Sequence, residues 1–146
     1  MTKNACRFVA PLTFEGLCGT PALTDEFATA MSHIKWAKWA DIGCVAPLTA
    51  NTLAKITHGL ADDALTTVFS ALPREIPQLL CPAMNTEMWR HPATQRNLRI
   101  LSEFSNFYLE PPVEKRLACG DFGMGGLAEV TKILARCEAL GAKDED

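Results

Sequence analysis

Short apolar segments alternate with longer amphipathic segments along most of the chain. Apolar runs at 42–46, 78–81 and 107–109 are bounded by polar residues or prolines, and such runs are typical of strands buried on both faces. The segments between them carry apolar residues at helical spacing. Because strands that alternate with helices form parallel sheets covered on both sides, we expect a three-layer, doubly wound α/β fold.

The first predicted helix runs from Thr24 to Ala40. Either Thr24 or Asp25 can serve as its N-cap. Its apolar positions recur every three to five residues, so the segment reads as an amphipathic helix with a stripe of Phe27, Met31, Ile34 and Trp39.

Four further helices are predicted, each from a start signal or an apolar stripe. Two of them begin at Asn51 and Asp62 as N-caps and extend to Gly59 and Leu72. A third has Pro92 at its first position and extends to Phe104. The last carries a stripe of Val130, Ile133, Leu134 and Cys137.

One segment lacks any clear period. Residues 113–126 contain four glycines, which is too many for a regular element, and we expect a mobile loop that covers the substrate. The charged residues at 141–146 predict a disordered tail. We expect residues 1–146 to form a single domain.

Composition narrows the function classes. With 48% apolar residues, a net charge of -3 and scattered basic residues, the chain is expected to be a compact domain that does not bind nucleic acid. No apolar run of membrane-spanning length and no secretion signal occur, so we expect a cytoplasmic protein without membrane contact. The six cysteines form no C-x-x-C pair, which predicts free thiols, mostly in the core, and no metal site.

The loops that follow the first two strands hold the candidate binding residues, since parallel sheets bind ligands at the carboxyl ends of their strands. Thr49, Asn51 and Thr52 lie beside a helix N-terminus, a place suited to a polar or anionic ligand. The alternative is an ordinary strand-to-helix turn. The second loop, 82–89, combines Asn85 with two methionines and a tryptophan, which could equally fill the core.

Two further residues are candidates for proton transfer. His33 lies on the first predicted helix, where a histidine is more often structural than catalytic. Cys119 lies in the glycine-rich segment after Lys115 and Arg116, whose charges favour a thiolate, whereas Asp121 opposes one.

Three segments together resemble the flavin-containing cysteine decarboxylases, over nearly the whole chain from Met1 to about Cys137. They are Pro47-Leu48-Thr49-Ala50-Asn51-Thr52, Pro82-x-Met84-Asn85-x-x-Met88-Trp89 and Ala118-Cys119-Gly120-Asp121-x-Gly123-x-Gly125. The resemblance implies a Rossmann or flavodoxin-like fold with FMN as cofactor. The third segment favours the branch of the family that acts in coenzyme A biosynthesis, which decarboxylates 4'-phosphopantothenoylcysteine to 4'-phosphopantetheine; lantibiotic peptidyl-cysteine decarboxylases lack that segment.

The resemblance also implies roles for individual residues. His33 is expected to assist thiol oxidation as a base, Asn85 to hold the substrate carboxylate, and Cys119 to donate a proton in the reductive step. Met84, Lys115 and Arg116 are expected to contact the substrate, the two cations through its phosphate. The flavin is expected to be lined by Thr49, Ala50, Asn51 and Thr52.

Two more expectations follow from the resemblance. Family members form trimers or dodecamers, so a homo-oligomer is expected. Relatives carry a strand, a Gly/Ser-rich turn and a helix ahead of the segment that matches Met1, so the chain is expected to be N-terminally truncated relative to them. A non-catalytic regulatory or binding subunit on the same fold is therefore an alternative function.

Overall fold

The computed structural model describes residues 1–27, 30–118 and 120–142. These residues form eight helices and five strands. The helices are α1 (Ala5–Phe8), α2 (Pro11–Cys18), α3 (Ser32–Trp39), α4 (Ala50–His58), α5 (Ala64–Ala71), α6 (Thr86–Arg90), α7 (Pro92–Leu101) and α8 (Val130–Gly141). The strands are β1 (Gly43–Leu48), β2 (Gln78–Pro82), β3 (Phe107–Leu109), β4 (Val113–Arg116) and β5 (Phe122–Gly126). Within the described ranges, no helix is both long and apolar enough to cross a lipid bilayer.

The described residues divide into two compact units, one of residues 1–40 with 59–73 and one of residues 41–58 with 74 onward. The second unit contains a parallel sheet in the order β1-β2-β3. All three strands were predicted, and the prediction of a parallel α/β sheet is confirmed. Every residue of the central strand β2 is buried, so both of its faces are covered.

The prediction of burial on both faces is wrong for β1. Cys44, Ala46 and Pro47 are exposed, while Gly43, Val45 and Leu48 are buried. Among the described residues β1 pairs with β2 alone, and an edge strand is covered less completely than a central one.

The last helix, α8, packs on the sheet. Its Ile133 joins Leu79, Cys81 and Ala128 in a buried apolar cluster. Leu79 and Cys81 are two residues apart on β2 and therefore point to the same face. The predicted C-terminal helix is confirmed, although two members of its predicted stripe, Val130 and Leu134, are exposed.

In the first unit, the predicted helix over 24–40 is shortened to α3. The Asp25 carboxylate accepts a hydrogen bond from the Phe27 N–H at 2.9 Å, which closes a local turn. Met31 then has φ 57°, outside the right-handed helical region, so α3 begins at Ser32. Phe27, Met31 and Trp39 are exposed rather than forming an apolar stripe.

Two helices have N-cap residues that differ from the predicted ones. The Thr49 hydroxyl accepts the hydrogen bond from the Thr52 N–H at 3.2 Å, so Thr49 rather than Asn51 caps α4. Asp63 rather than Asp62 caps α5, and it forms a reciprocal capping box with Thr66. Pro92 does occupy the start of its helix, which ends at Leu101, three residues before the predicted end.

The prediction of no regular element over 113–126 is wrong. Strands β4 and β5 form an antiparallel hairpin, with Lys115 opposite Gly123 and Arg116 opposite Phe122. Whether this segment covers substrate stays a prediction. Helix α8 extends to Gly141, and residues 143–146 of the predicted tail lie outside the described residues.

The five described cysteines carry free thiols, but only Cys81 is fully buried. Cys18 and Cys44 are exposed, so the prediction of a core position is wrong for both. Cys18 ends α2, none of whose residues is buried, and Cys44 lies on the edge strand β1.

Candidate functional site

Three segments of the second unit meet beyond the carboxyl ends of β1 and β2. The Ala83 N–H donates to the Leu48 carbonyl at 3.0 Å, which joins the loop after β2 to the end of β1. The next amide along the chain, that of Met84, donates to the Gly125 carbonyl of β5 at 2.9 Å. Both predicted binding loops and the hairpin are therefore connected by consecutive backbone hydrogen bonds.

The first loop begins helix α4. The Thr49 hydroxyl donates to the Thr52 hydroxyl at 3.2 Å, and Thr52 is buried. Asn51 is exposed and Ala50 is half-buried. Of the four residues predicted to line a flavin, Thr49 and Thr52 thus form the helix cap, while Ala50 and Asn51 present atoms to the surface.

The second loop begins helix α6. The Asn85 side-chain oxygen accepts from the Glu87 N–H at 2.8 Å, which makes Asn85 the N-cap of α6. This bond orients the amide, whose nitrogen is the group that can donate to a carboxylate. Met84 and Trp89 are half-buried and Met88 is exposed, so the alternative in which these side chains fill the core is not what the structure shows.

The hairpin carries both predicted phosphate ligands. The Lys115 ammonium donates to the Leu127 carbonyl at 2.7 Å, and its aliphatic stem lies across Gly126. Lys115 thereby ties the hairpin to the segment that follows it, whereas Arg116 is exposed. The turn is closed by the Leu117 N–H, which donates to the Asp121 carbonyl at 2.7 Å. Cys119 lies outside the described residues.

His33 belongs to the first unit, on the first turn of α3. Its Nδ1 atom is buried and has no hydrogen-bond partner among the described residues. A buried polar atom without a partner carries a free-energy penalty and commonly marks a position that another group completes.

A cavity of about 470 Å³ opens between α4, α6 and α7 in the second unit. Small-molecule sites typically enclose about 300–1,000 Å³. The wall combines three alanines and a methionine with two amides, an imidazole, a hydroxyl and a carboxylate, from Ala50, Asn51, Ala54, Glu87, Met88, His91, Ala93, Thr94 and Asn97. These residues fit a flat heteroaromatic group such as a flavin ring, since apolar walls accept its faces and the amides can bond its polar edge.

The sequence reasoning missed His91 and Asn97 as cavity residues. The Ala93 N–H donates to His91 Nδ1 at 3.2 Å, so in the neutral ring the proton lies on Nε2. Asn97 is buried, and its side-chain oxygen pairs with His58 Nε2 at 3.2 Å, which fastens α7 to α4. The sequence did contain a signal for this cavity wall. Thr94 and Asn97 lie three residues apart and therefore on one face of the predicted helix.

Three thiols lie together away from this cavity, where β1, β2 and α8 meet. The Cys44 thiol donates a hydrogen bond to Cys81, and this bond raises the pKa of Cys44 well above its usual range. Burial, followed by the nearby Cys44, raises the pKa of Cys137 to about 11. The thiols of Cys44 and Cys137 are therefore protonated at neutral pH and poor nucleophiles. The same hydrogen bond lowers the pKa of the Cys81 thiol.

The fold and the sequence match known flavoproteins. The profile of the Flavoprotein family matches residues 1–140. The chain therefore belongs to the Flavoprotein family.

Individual relatives carry more specific names. The chain is 40% identical over 142 residues to a probable phosphopantothenoylcysteine decarboxylase of Streptococcus mutans, covering 94% of this chain and 79% of that protein. It is 44% identical over 148 residues to a bifunctional coenzyme A biosynthesis protein of Bacillus subtilis, covering 99% of this chain but 36% of that protein. The chain thus spans about a third of the latter relative's length.

The fold is shared with solved structures of the same class. A variant of PPC decarboxylase in complex with pantothenoylaminoethenethiol superposes with a TM-score of 0.82 and 37% sequence identity, covering 94% of this chain and 79% of that chain. The flavodoxin-like fold implied by the sequence motifs is confirmed by this match.

Proposed function

We propose that this chain is an FMN-dependent carboxy-lyase that converts 4'-phosphopantothenoylcysteine into 4'-phosphopantetheine in coenzyme A biosynthesis. The observation that carries the proposal is the pair of consecutive hydrogen bonds that joins the Leu48, Asn85 and hairpin segments, with Ala83 N–H to Leu48 at 3.0 Å and Met84 N–H to Gly125 at 2.9 Å. These are the segments that carry the three motifs of the cysteine decarboxylases. The relatives named above support the same reaction.

The reaction requires the carbon–carbon bond to the carboxylate to break without leaving an unstabilised carbanion. Oxidation of the substrate thiol to a thioaldehyde creates an electron sink at the neighbouring carbon, so the electron pair released with carbon dioxide moves onto sulfur as an enethiolate. FMN, when bound, accepts the hydride lost in this oxidation and returns it in the reductive step. The overall conversion releases carbon dioxide and is redox-neutral.

The residues of this chain supply binding and proton transfer. By resemblance to the cysteine decarboxylases, His33 is the base that takes the thiol proton during oxidation. The Asn85 amide, oriented by its capping bond, donates to the substrate carboxylate before that group is lost. Cys119 gives a proton to the enethiolate carbon, a step for which a thiol is an adequate acid.

Other residues hold the two ligands. Ala50 and Asn51 contact the flavin from the cavity wall, and Thr49 and Thr52 fix the start of α4 beneath it. Met84 packs against the substrate. Arg116 is the more accessible cation for the substrate phosphate, because Lys115 already donates to the Leu127 carbonyl.

The working assembly is inferred to be a homo-oligomer. Helix α2 is largely apolar, yet none of its residues is buried. Leu12 and Leu17 on this helix are 74% and 79% exposed. A second copy of the chain is the partner that we infer for this helix, since exposed apolar side chains of this kind mark interaction sites.

The direct test is flavin retention followed by turnover. Purified chain incubated with FMN and freed of unbound ligand should keep the flavin absorbance and then release carbon dioxide from 4'-phosphopantothenoylcysteine. A protein that retains FMN and releases no carbon dioxide contradicts the proposal and favours a binding or regulatory subunit.

The variant Cys119→Ser separates the two halves of the reaction. It should still release carbon dioxide but accumulate the enethiol product, because the proton donor of the reductive step is gone. Cys18→Ser is the matched control, since Cys18 is an exposed free thiol at the end of α2, and it should form phosphopantetheine as the wild type does. Normal phosphopantetheine formation by Cys119→Ser would remove Cys119 from the mechanism.

A further inference from the structure

Two glycines of β5 lie directly against the loop that carries Asn85. Both Gly123 and Gly125 are buried. A Cβ atom at Gly123 would lie 2.6 Å from the Thr86 hydroxyl oxygen. A Cβ atom at Gly125 would overlap the carbonyl oxygen of Met84, and the backbone there has φ 134°, which side-chain-bearing residues rarely adopt.

The contact follows a strand-like register. Gly125 contacts Met84. Gly123 lies two residues earlier on β5 and contacts Thr86, which lies two residues later in the loop. The Met84 N–H donates to the Gly125 carbonyl at 2.9 Å within this contact. The hairpin therefore rests on the Met84 backbone and on the Thr86 side chain, with Asn85 between the two contact points.

Packing against protein explains why these positions are glycine. The space next to each α-carbon is filled by atoms of Met84 and Thr86 rather than left open for a ligand. At Gly16, by contrast, no atom lies within 4 Å of the position that a Cβ would occupy. Close backbone approach is thus the constraint on β5, and it explains why a segment with four glycines still forms a strand pair.

We propose that Gly123 and Gly125 are positioning residues that seat the β4–β5 hairpin on the Asn85 loop, so that the backbone hydrogen bond between Leu117 and Asp121 at the end of the hairpin and the Asn85 amide keep one fixed geometry. The catalytic consequence rests on the function proposed above. In that reaction the segment between Leu117 and Asp121 carries the proton donor for the reductive step, and Asn85 holds the carboxylate for the earlier one. Displacing the hairpin should therefore impair reduction more than decarboxylation.

The test is a double-mutant cycle between Gly123 and Thr86. Gly123→Ala introduces the clash with the Thr86 hydroxyl, and Thr86→Ala removes that hydroxyl, leaving an ordinary 3.7 Å contact to the Thr86 Cβ. Gly125→Ala is the harsher variant, because its clash is with backbone. Gly16→Ala is the control, since it adds a methyl group in open space.

Two readouts are used, and only one depends on turnover. The first is hydrogen exchange of the Met84 amide, whose protection should fall about tenfold in Gly123→Ala, on the order of one lost hydrogen bond. The second is the product ratio with 4'-phosphopantothenoylcysteine. A misplacement of about 1 Å can cost about a hundredfold in rate, so enethiol should accumulate in Gly123→Ala while carbon dioxide release persists.

The proposal is decided by whether Thr86→Ala reverses the effects of Gly123→Ala. Thr86→Ala added to Gly123→Ala should restore both Met84 protection and phosphopantetheine formation, and Gly16→Ala should change neither. Wild-type protection and products in Gly123→Ala, or a loss that Thr86→Ala leaves unrescued, would overturn the proposal. If the wild-type chain releases no carbon dioxide, the proposed function fails, and the exchange cycle by itself still decides whether the glycines seat the hairpin.

Discussion

At the scale of single residues, the chemistry of each side chain depends on what its neighbours already occupy. The side-chain oxygen of Asn85 is engaged as the N-cap of α6. Lys115 is a weaker phosphate ligand than its charge implies, because its ammonium already donates to a carbonyl. The acidity of Cys137 also depends on its surroundings, because burial is the main cause that raises its pKa to about 11.

The raised pKa of Cys137 predicts a loss of stability at alkaline pH. Because the unfolded thiol ionises near its ordinary value of 9.0 and the folded one near 11, the unfolded state binds fewer protons between these values. The free energy of unfolding therefore falls as pH rises through this window and is unaffected below it. Urea unfolding at about pH 8 and about pH 10.5 should show a smaller alkaline loss in Cys137→Ala than in the wild type. Equal losses of unfolding free energy in both proteins would contradict the assignment of the alkaline loss to Cys137.

At the scale of elements, local hydrogen bonds determine where helices begin. The Thr66 N–H donates to the Asp63 carboxylate at 2.9 Å, and the Thr66 hydroxyl accepts from the Asp63 N–H at 3.3 Å. Helix α5 has eight residues and no acidic residue in its first turn. Its N-terminus therefore depends on this capping box.

Asp63→Ala should lower the free energy of unfolding by about 1 kcal/mol, the usual cost of losing an N-cap. Asp63→Asn keeps a side-chain oxygen at the same place and should cost less. Chemical denaturation of the three proteins measures the difference. The capping assignment is wrong if the alanine and asparagine variants unfold at the same denaturant concentration as the wild type.

At the scale of the whole molecule, the exposed apolar side chains of α2 predict self-association. Sedimentation velocity should find the wild-type chain in an assembly larger than a monomer. Leu12→Glu combined with Leu17→Glu should shift it toward the monomer, because charged side chains are costly to bury in an apolar interface. Leu134→Glu, at an exposed leucine of α8, should leave the assembly intact. A monomeric wild type would exclude a second copy as the partner of α2.

The sequence by itself determined the order of the main elements and the loops that hold the chemistry. Apolar runs and helical stripes are local patterns, so β2, β3 and the start of α7 were predicted closely. That the loops after β1 and β2 bind ligands stays a prediction. The parallel sheet followed from the same alternation.

The tertiary structure alone decided which groups these loops meet. Because glycine has a low propensity for regular elements, the glycine-rich segment was predicted to be a loop. Gly123 and Gly125 nevertheless lie on a strand that pairs with β4, with the Thr86 side chain and the Met84 backbone against them. The exposure of β1, the cavity contacts of His91 and Asn97, and the engagement of Lys115 likewise depend on residues distant in sequence. Such contacts leave no local periodicity, because they are made only when the chain closes on itself.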